Sequence, residues 1–153
     1  MLLTDRLDTE ALCLPSAPAT TDQTGILTLP SQEVHVATVR HFTDDLLGHW
    51  GIHQDDRDSA VLIVDELAAN AVQHGHADMT LTLALDHNVL VISLTDWGTT
   101  VDHPHPHAGL ASDEHGRGTG IIEFLALWTK THHCSRGRQV RVGLRVTATG
   151  SRL

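Results

Sequence analysis

Residues 79–95 alternate apolar and small polar side chains on either side of one short break. Leu81, Leu83 and Leu85 interleave with Thr80, Thr82 and Ala84, and after Asp86-His87-Asn88 the alternation resumes through Val89–Thr95. A period of two predicts a half-buried antiparallel hairpin. A lone hairpin is marginal in water and needs an apolar surface laid over it. The chain supplies two candidates. Ser31 is placed to cap a helix running to about Trp50, with Val36, Val39, Leu46, Leu47 and Trp50 at helical spacing and Gly51 closing it. A second helix is expected from Asp55 to Gly75, carrying the stripe Ala60, Val61, Val64, Leu67, Ala68 and Ala71.

Gly25–Leu29 reads as a short strand ended by Pro30, and residues 97–115 as a long surface loop of the kind that often acts as a lid. Gly116–Gly120 opens a short helix from Ile121 to about Trp128. Strands follow near Thr131–Cys134 and Gln139–Val146, with a turn around Ser135–Arg138. This order predicts a two-layer α/β (α+β) sandwich, in which helices cover one face of a mixed, mainly antiparallel sheet. Residues 1–24, with Pro15 and Pro18 and no periodicity, are expected to form a loosely ordered arm, leaving 25–153 as one domain.

The charge balance narrows the partners. Nineteen acidic residues against ten basic ones give a formal net charge of -9. A surface of that sign repels phosphate backbones and anionic lipids, which argues against nucleic-acid and membrane partners. No stretch approaches the ~18–20 apolar residues needed to span a bilayer. Asp5, Asp8 and Glu10 stand where an export signal would carry positive charge. Two cysteines, Cys13 and Cys134, are too few for a disulfide framework, and a cytoplasmic protein is expected.

Three constellations carry chemistry. Glu66, Asn70 and His74 lie four residues apart and share one face of the second helix. An Asn oxygen suits Mg²⁺, and a carboxylate one turn away can take a proton from an attacking hydroxyl; the same face would also serve as a plain solvated surface. Asp96, Trp97 and Gly98 end an apolar strand. The carboxylate there can accept from an exocyclic amine such as adenine N6, and Gly98 allows close backbone approach, although Asp-x-Gly is also an ordinary turn. Finally, Gly116, Gly118 and Gly120 alternate just before a helix, with Arg117 and Thr119 between them. Bare N–H groups and the helix dipole can converge on a phosphate there, or the segment is a loop ending in a cap. It lacks the Lys-Ser/Thr of a P-loop and does not follow a strand directly.

In this order, Glu66-Leu-x-x-Asn70-Ala-x-x-His74, Asp96-x-Gly98 and Gly116-x-Gly118-x-Gly120 resemble the N box and two glycine boxes of the histidine-kinase-like (GHKL) ATPase superfamily. More closely, the chain resembles its short branch of anti-sigma factors that are serine/threonine-protein kinases. Val39–Phe42 with Trp50–Ile52, and Arg138–Val140, extend the match over about residues 25–147. The resemblance implies a Bergerat-type ATP fold, with Asn70 on Mg²⁺ and Asp96 on adenine. It puts Gly98 beside the base and Gly116, Arg117, Gly118, Thr119 and Gly120 at the phosphates. His74 joins the nucleotide site, and Glu66 becomes the base that activates a substrate serine. It also implies an anti-anti-sigma (STAS-type) antagonist and a sigma factor as partners, and a homodimer. The chain departs from the pattern where Thr99 and Thr100 follow Gly98, and where Gln139 replaces a Thr common in the last strand.

Two other readings compete. One is a partner-binding module without catalysis. The other uses His103, His105 and His107, with His115 nearby, as a Zn²⁺ or Ni²⁺ site or a pH sensor. The catalytic half of a two-component histidine kinase fits poorly, because His35 and His41 fall on the domain's own first helix.

Overall fold

The computed structural model describes residues 23–74, 77–98 and 120–149. Five strands form one sheet: β1 (Gln23–Pro30), β2 (Asp78–Asp86), β3 (Val89–Asp96), β4 (Trp128–Cys134) and β5 (Gly137–Arg145), in the spatial order β1-β2-β3-β5-β4. The expected mixed sheet is antiparallel in every described pairing. Short turns explain this: β2 to β3 and β4 to β5 are tight hairpins, and a hairpin can only join antiparallel neighbours. Asp86 pairs with Val89 across the first turn, where His87 takes a φ of 57°.

Helices α1 (Val34–His49) and α2 (Gln54–His74) lie on one face of this sheet, α1 against β1 and α2 over β3 and β5. The faces they bury follow from spacing. Val39, Thr43 and Leu47 of α1 recur every four residues, and the Thr43 hydroxyl donates to the Val39 carbonyl at 2.9 Å, so its burial leaves no open donor. The buried stripe of α2 is Ala60, Ile63, Val64, Leu67, Ala68 and Ala71. Ile63 takes the place expected for Val61, which is only half-buried. Small alanines on this stripe let the helix approach the sheet closely. Leu46 and Trp50 pack against the same core. Across the helices, Arg57 pairs with Asp44 at 3.1 Å.

Gly51 ends α1 as the pattern predicts. It carries a φ of 75°, its N–H donates to the Gly48 carbonyl at 3.1 Å, and Ile52 N–H donates to Leu47 at 3.0 Å. These are the paired bonds of a Schellman turn, with the accompanying apolar contact supplied by Leu47 and Ile52 in the core. An L side chain at that φ is strained, so Gly51→Ala is expected to cost about 1–2 kcal/mol in urea unfolding, although open space surrounds the added methyl.

The start of α1 differs from expectation. Ser31 is not its cap: Glu33 holds that position without a side-chain bond. Ser31 is tied instead to the sheet edge, its N–H donating to the Ala77 carbonyl at 2.9 Å. A second difference concerns the helix opening at Gly120. Among the described residues it covers 120–125 and ends there, and Trp128 is the first residue of β4. The expected half-solvated hairpin is also buried on both faces. Thr80, Thr82, Ser93 and Thr95 are all buried. Larger side chains lie among these small ones: the Trp97 indole donates to Thr80 at 2.9 Å, and Gln139 donates to Thr95 at 3.3 Å. On the same face Trp128 lies against Gly143, with Lys130 and Arg141 beside its ring. Cys134, on β4, is disulfide-bonded, and Cys13 lies outside the described residues. No described helix is long and apolar enough to cross a membrane.

Candidate nucleotide site

An open cleft of about 90 Å³ separates α2 from the far half of the sheet. Its apolar walls come from Leu67 and Ala71 of α2, Leu94 of β3, Ile122 of the short helix and Val140 of β5. Asn70 enters from α2, Asp96 from the end of β3, Arg138 from β5, and Thr129 and Thr131 from β4. The backbone dictates this meeting. Leu67, Asn70 and Ala71 share the helix face turned to the sheet. On β3, Leu94 and Asp96 point to the same side as Val140 and Arg138, their register partners on β5.

Asp96 terminates the most buried strand of the sheet and is only 9% exposed. Its Oδ1 accepts the Gly98 N–H at 3.1 Å. This bond holds the carboxylate at the strand end. Gly98 is buried beside it. Asp96 and Asn70 thus line the same cleft. Glu66 and His74 are half-buried on the adjoining turns of α2, but neither lines the cleft. Gly120 is exposed at the start of the short helix. Gly116, Arg117, Gly118 and Thr119, together with His103, His105, His107 and His115, lie outside the described residues. Among the described residues no group of three or more His, Cys, Asp or Glu could hold a metal.

Arg138, Thr129 and Thr131 were not foreseen as site residues. The threonines follow from the alternation of β4, in which Thr129 and Thr131 face the cleft while Trp128 and Lys130 face the other way. That signal is readable only once the strand is started at Trp128.

An antiparallel sheet is thus covered on one face by two helices, with an Asn of the second helix and an Asp at a strand end lining one cleft. Residues 29–147 match the model of the histidine kinase-like ATPase domain, and the chain belongs to that family. Among solved structures it is similar to the crystal structure of the RsbU and RsbW domains of Rv1364c from Mycobacterium tuberculosis, with a TM-score of 0.65 and 21% identity. The match covers 83% of this chain and 33% of that one, so the chain spans about a third of its length. A comparison with curated proteins found no match.

Proposed function

We propose that this chain is an ATP-binding regulator of the anti-sigma type, which transfers the γ-phosphate of ATP to a serine of a STAS-type antagonist and sequesters a sigma factor. The observation that carries the nucleotide reading is the cleft itself. Its apolar walls suit a flat base, and the buried carboxylate and the amide in its lining suit a base amine and a metal–phosphate group. Membership of the histidine kinase-like ATPase family and the likeness to a chain with an RsbW domain support the protein-kinase reading.

Each described residue has a role in that scheme. Asp96 accepts from the adenine amine and selects against bases without a donor there. Leu67, Ala71, Leu94 and Val140 exclude water from the ring faces. Asn70 offers a neutral oxygen, which fits Mg²⁺ because that ion keeps several waters and takes few protein ligands. Bound Mg²⁺ would neutralise charge on the phosphates during transfer. Glu66, one turn before Asn70, would receive the proton of an incoming hydroxyl. The reaction then rests mainly on positioning: the acceptor oxygen attacks in line, the bond from the γ-phosphorus to the bridging oxygen breaks, and ADP leaves.

One observation favours a second reading, in which the chain binds partners without catalysis: Glu66 is not part of the cleft. Calorimetric titration with ATP and ADP, with and without Mg²⁺, tests the nucleotide reading. Saturable binding is expected, tightened by Mg²⁺, and Asn70→Ala should remove that tightening, a loss of about tenfold or more. Absence of binding up to millimolar nucleotide by the folded protein would leave only the partner-binding reading.

A further inference from the structure

The sheet face turned away from α1 and α2 is built from small side chains, and it is buried all the same. Ala84, Thr82, Ser93, Thr95 and Gln139 are between 1% and 6% exposed. Strand alternation puts all five on this outer face, so neither helix accounts for their burial. In the register of the sheet they run diagonally, from Ala84 beside Thr24 of β1 to Gln139 beside His132 of β4. Trp97, bonded to Thr80, stands on one side of this line, and Trp128, against Gly143, on the other. The result is a shallow trough between two indoles. It leads from the corner where β1 begins, at Gln23, to the opposite corner, at Cys134. Cys134 shares the outer face, since it stands an even number of residues from Trp128, while Thr129 and Thr131 face the cleft. It is disulfide-bonded, and the one other cysteine in the sequence is Cys13.

We propose that Cys13 is the partner of Cys134 and that residues 14–22 cross the outer face as a strap seated in this trough. Length fixes the route. The two corners lie four strand spacings and seven residues apart, a diagonal of about 30 Å. Ten peptide steps join Cys13 to Gln23 and reach about 33–36 Å when extended, with about 5.5 Å more across the disulfide. That suffices for the direct diagonal in a nearly extended form. A detour around the helix layer, itself about 10 Å thick, is out of reach. Composition agrees: Pro15 and Pro18 favour an extended backbone, and Ser16, Ala17 and Ala19 are small enough for a shallow seat. Upstream, Asp5, Asp8 and Glu10 outnumber Arg6, and the outer face near Cys134 carries Lys130, His132 and Arg141. The bond closes by exchange with a low-molecular-weight disulfide. The Cys134 thiolate attacks it and releases one thiol, and the Cys13 thiolate displaces the second. The two protein sulfurs are oxidised, the small disulfide is reduced, and the two protons end on the released thiols. Reduction reverses this and opens the outer face.

The test uses the full chain, equilibrated with oxidised glutathione and digested without reduction. Mass spectrometry is expected to find Cys13 and Cys134 in one cross-linked peptide pair from a monomer. A covalent dimer, or two free thiols, overturns the inference. Thermolysin applied to the folded protein then reports on the strap. Cleavage within 14–22 is expected to rise by about tenfold or more when a phosphine reductant opens the bond. Equal cleavage in the two states overturns the seating on the sheet. Chain length tests the route itself. Deleting residues 15–19 removes about 17 Å of reach and should prevent closure, whereas replacing the same five residues by glycines should preserve it. Both changes lie outside the described fold, which begins at Gln23, so the sheet itself is left intact. Closure in the shortened chain, or its loss in the glycine chain, overturns the diagonal crossing.

Discussion

Glu66→Gln is expected to slow phosphoryl transfer from ATP to a serine-bearing STAS-type protein by about 10²–10⁴-fold, with ATP affinity kept within about twofold. The substitution preserves size and one oxygen acceptor and removes only the capacity to take a proton. The structural reason for expecting separable effects is the position of Glu66. It is half-buried on α2, one turn before Asn70, and does not contribute to the cleft walls. A group that met the nucleotide directly would alter binding when changed. One that meets only the incoming hydroxyl should alter the transfer step alone. Single-turnover transfer, measured beside nucleotide titration, distinguishes these cases. A parallel loss of both would place Glu66 in the binding machinery. A wild-type protein that binds ATP and transfers nothing would remove the kinase role and leave the partner-binding module.

The parts of this fold that were legible in the sequence are those set by one local period. The stripe of α2 is readable because Ala60, Val64, Leu67, Ala68 and Ala71 repeat at three and four residues, and only Ile63 was misassigned to its neighbour Val61. The β2–β3 hairpin is readable because its alternation and its turn agree on one register. Trp128 shows where such reasoning stops. Ile121, Ile122, Leu125 and Trp128 stand at helical spacing, so local pattern extends the helix through them. The edge strand they run into has exposed Thr, Lys and His on both sides and no apolar alternation to announce it. Ser31 failed as a cap for a similar reason, since the bond that places it comes from Ala77, more than forty residues away. Of the residues that line the cleft, Asn70 and Asp96 each sit in a recognisable motif, whereas Arg138, next to Arg141 and Arg145, looks like one more solvated cation. Only the register opposite Asp96 turns it into the cleft.

The second large effect is expected at Gly137, which no motif marks. It begins β5 beside the end of β3, and a methyl group added there would fall on the Asp96 carbonyl oxygen and press on the Trp97 Cα. These are backbone atoms at the end of the neighbouring strand, so no side chain can swing aside to relieve the overlap. Gly137→Ala should therefore cost about 3 kcal/mol, at the upper end for overpacking, as measured by urea unfolding. The same displacement moves the strand end that carries Asp96, and Arg138 is the next residue along β5. Nucleotide affinity should fall together with stability, even at temperatures where the variant remains folded. Gly143→Ala provides the contrast. Its added methyl meets the Trp128 indole, a side chain on the opposite face of the sheet, so this variant should lose stability while ADP affinity stays unchanged. If both variants lose stability but Gly137→Ala binds ADP as the wild type does, the end of β3 is not what positions the base. The carboxylate of Asp96 would then be held by its bond to Gly98 rather than by the strand.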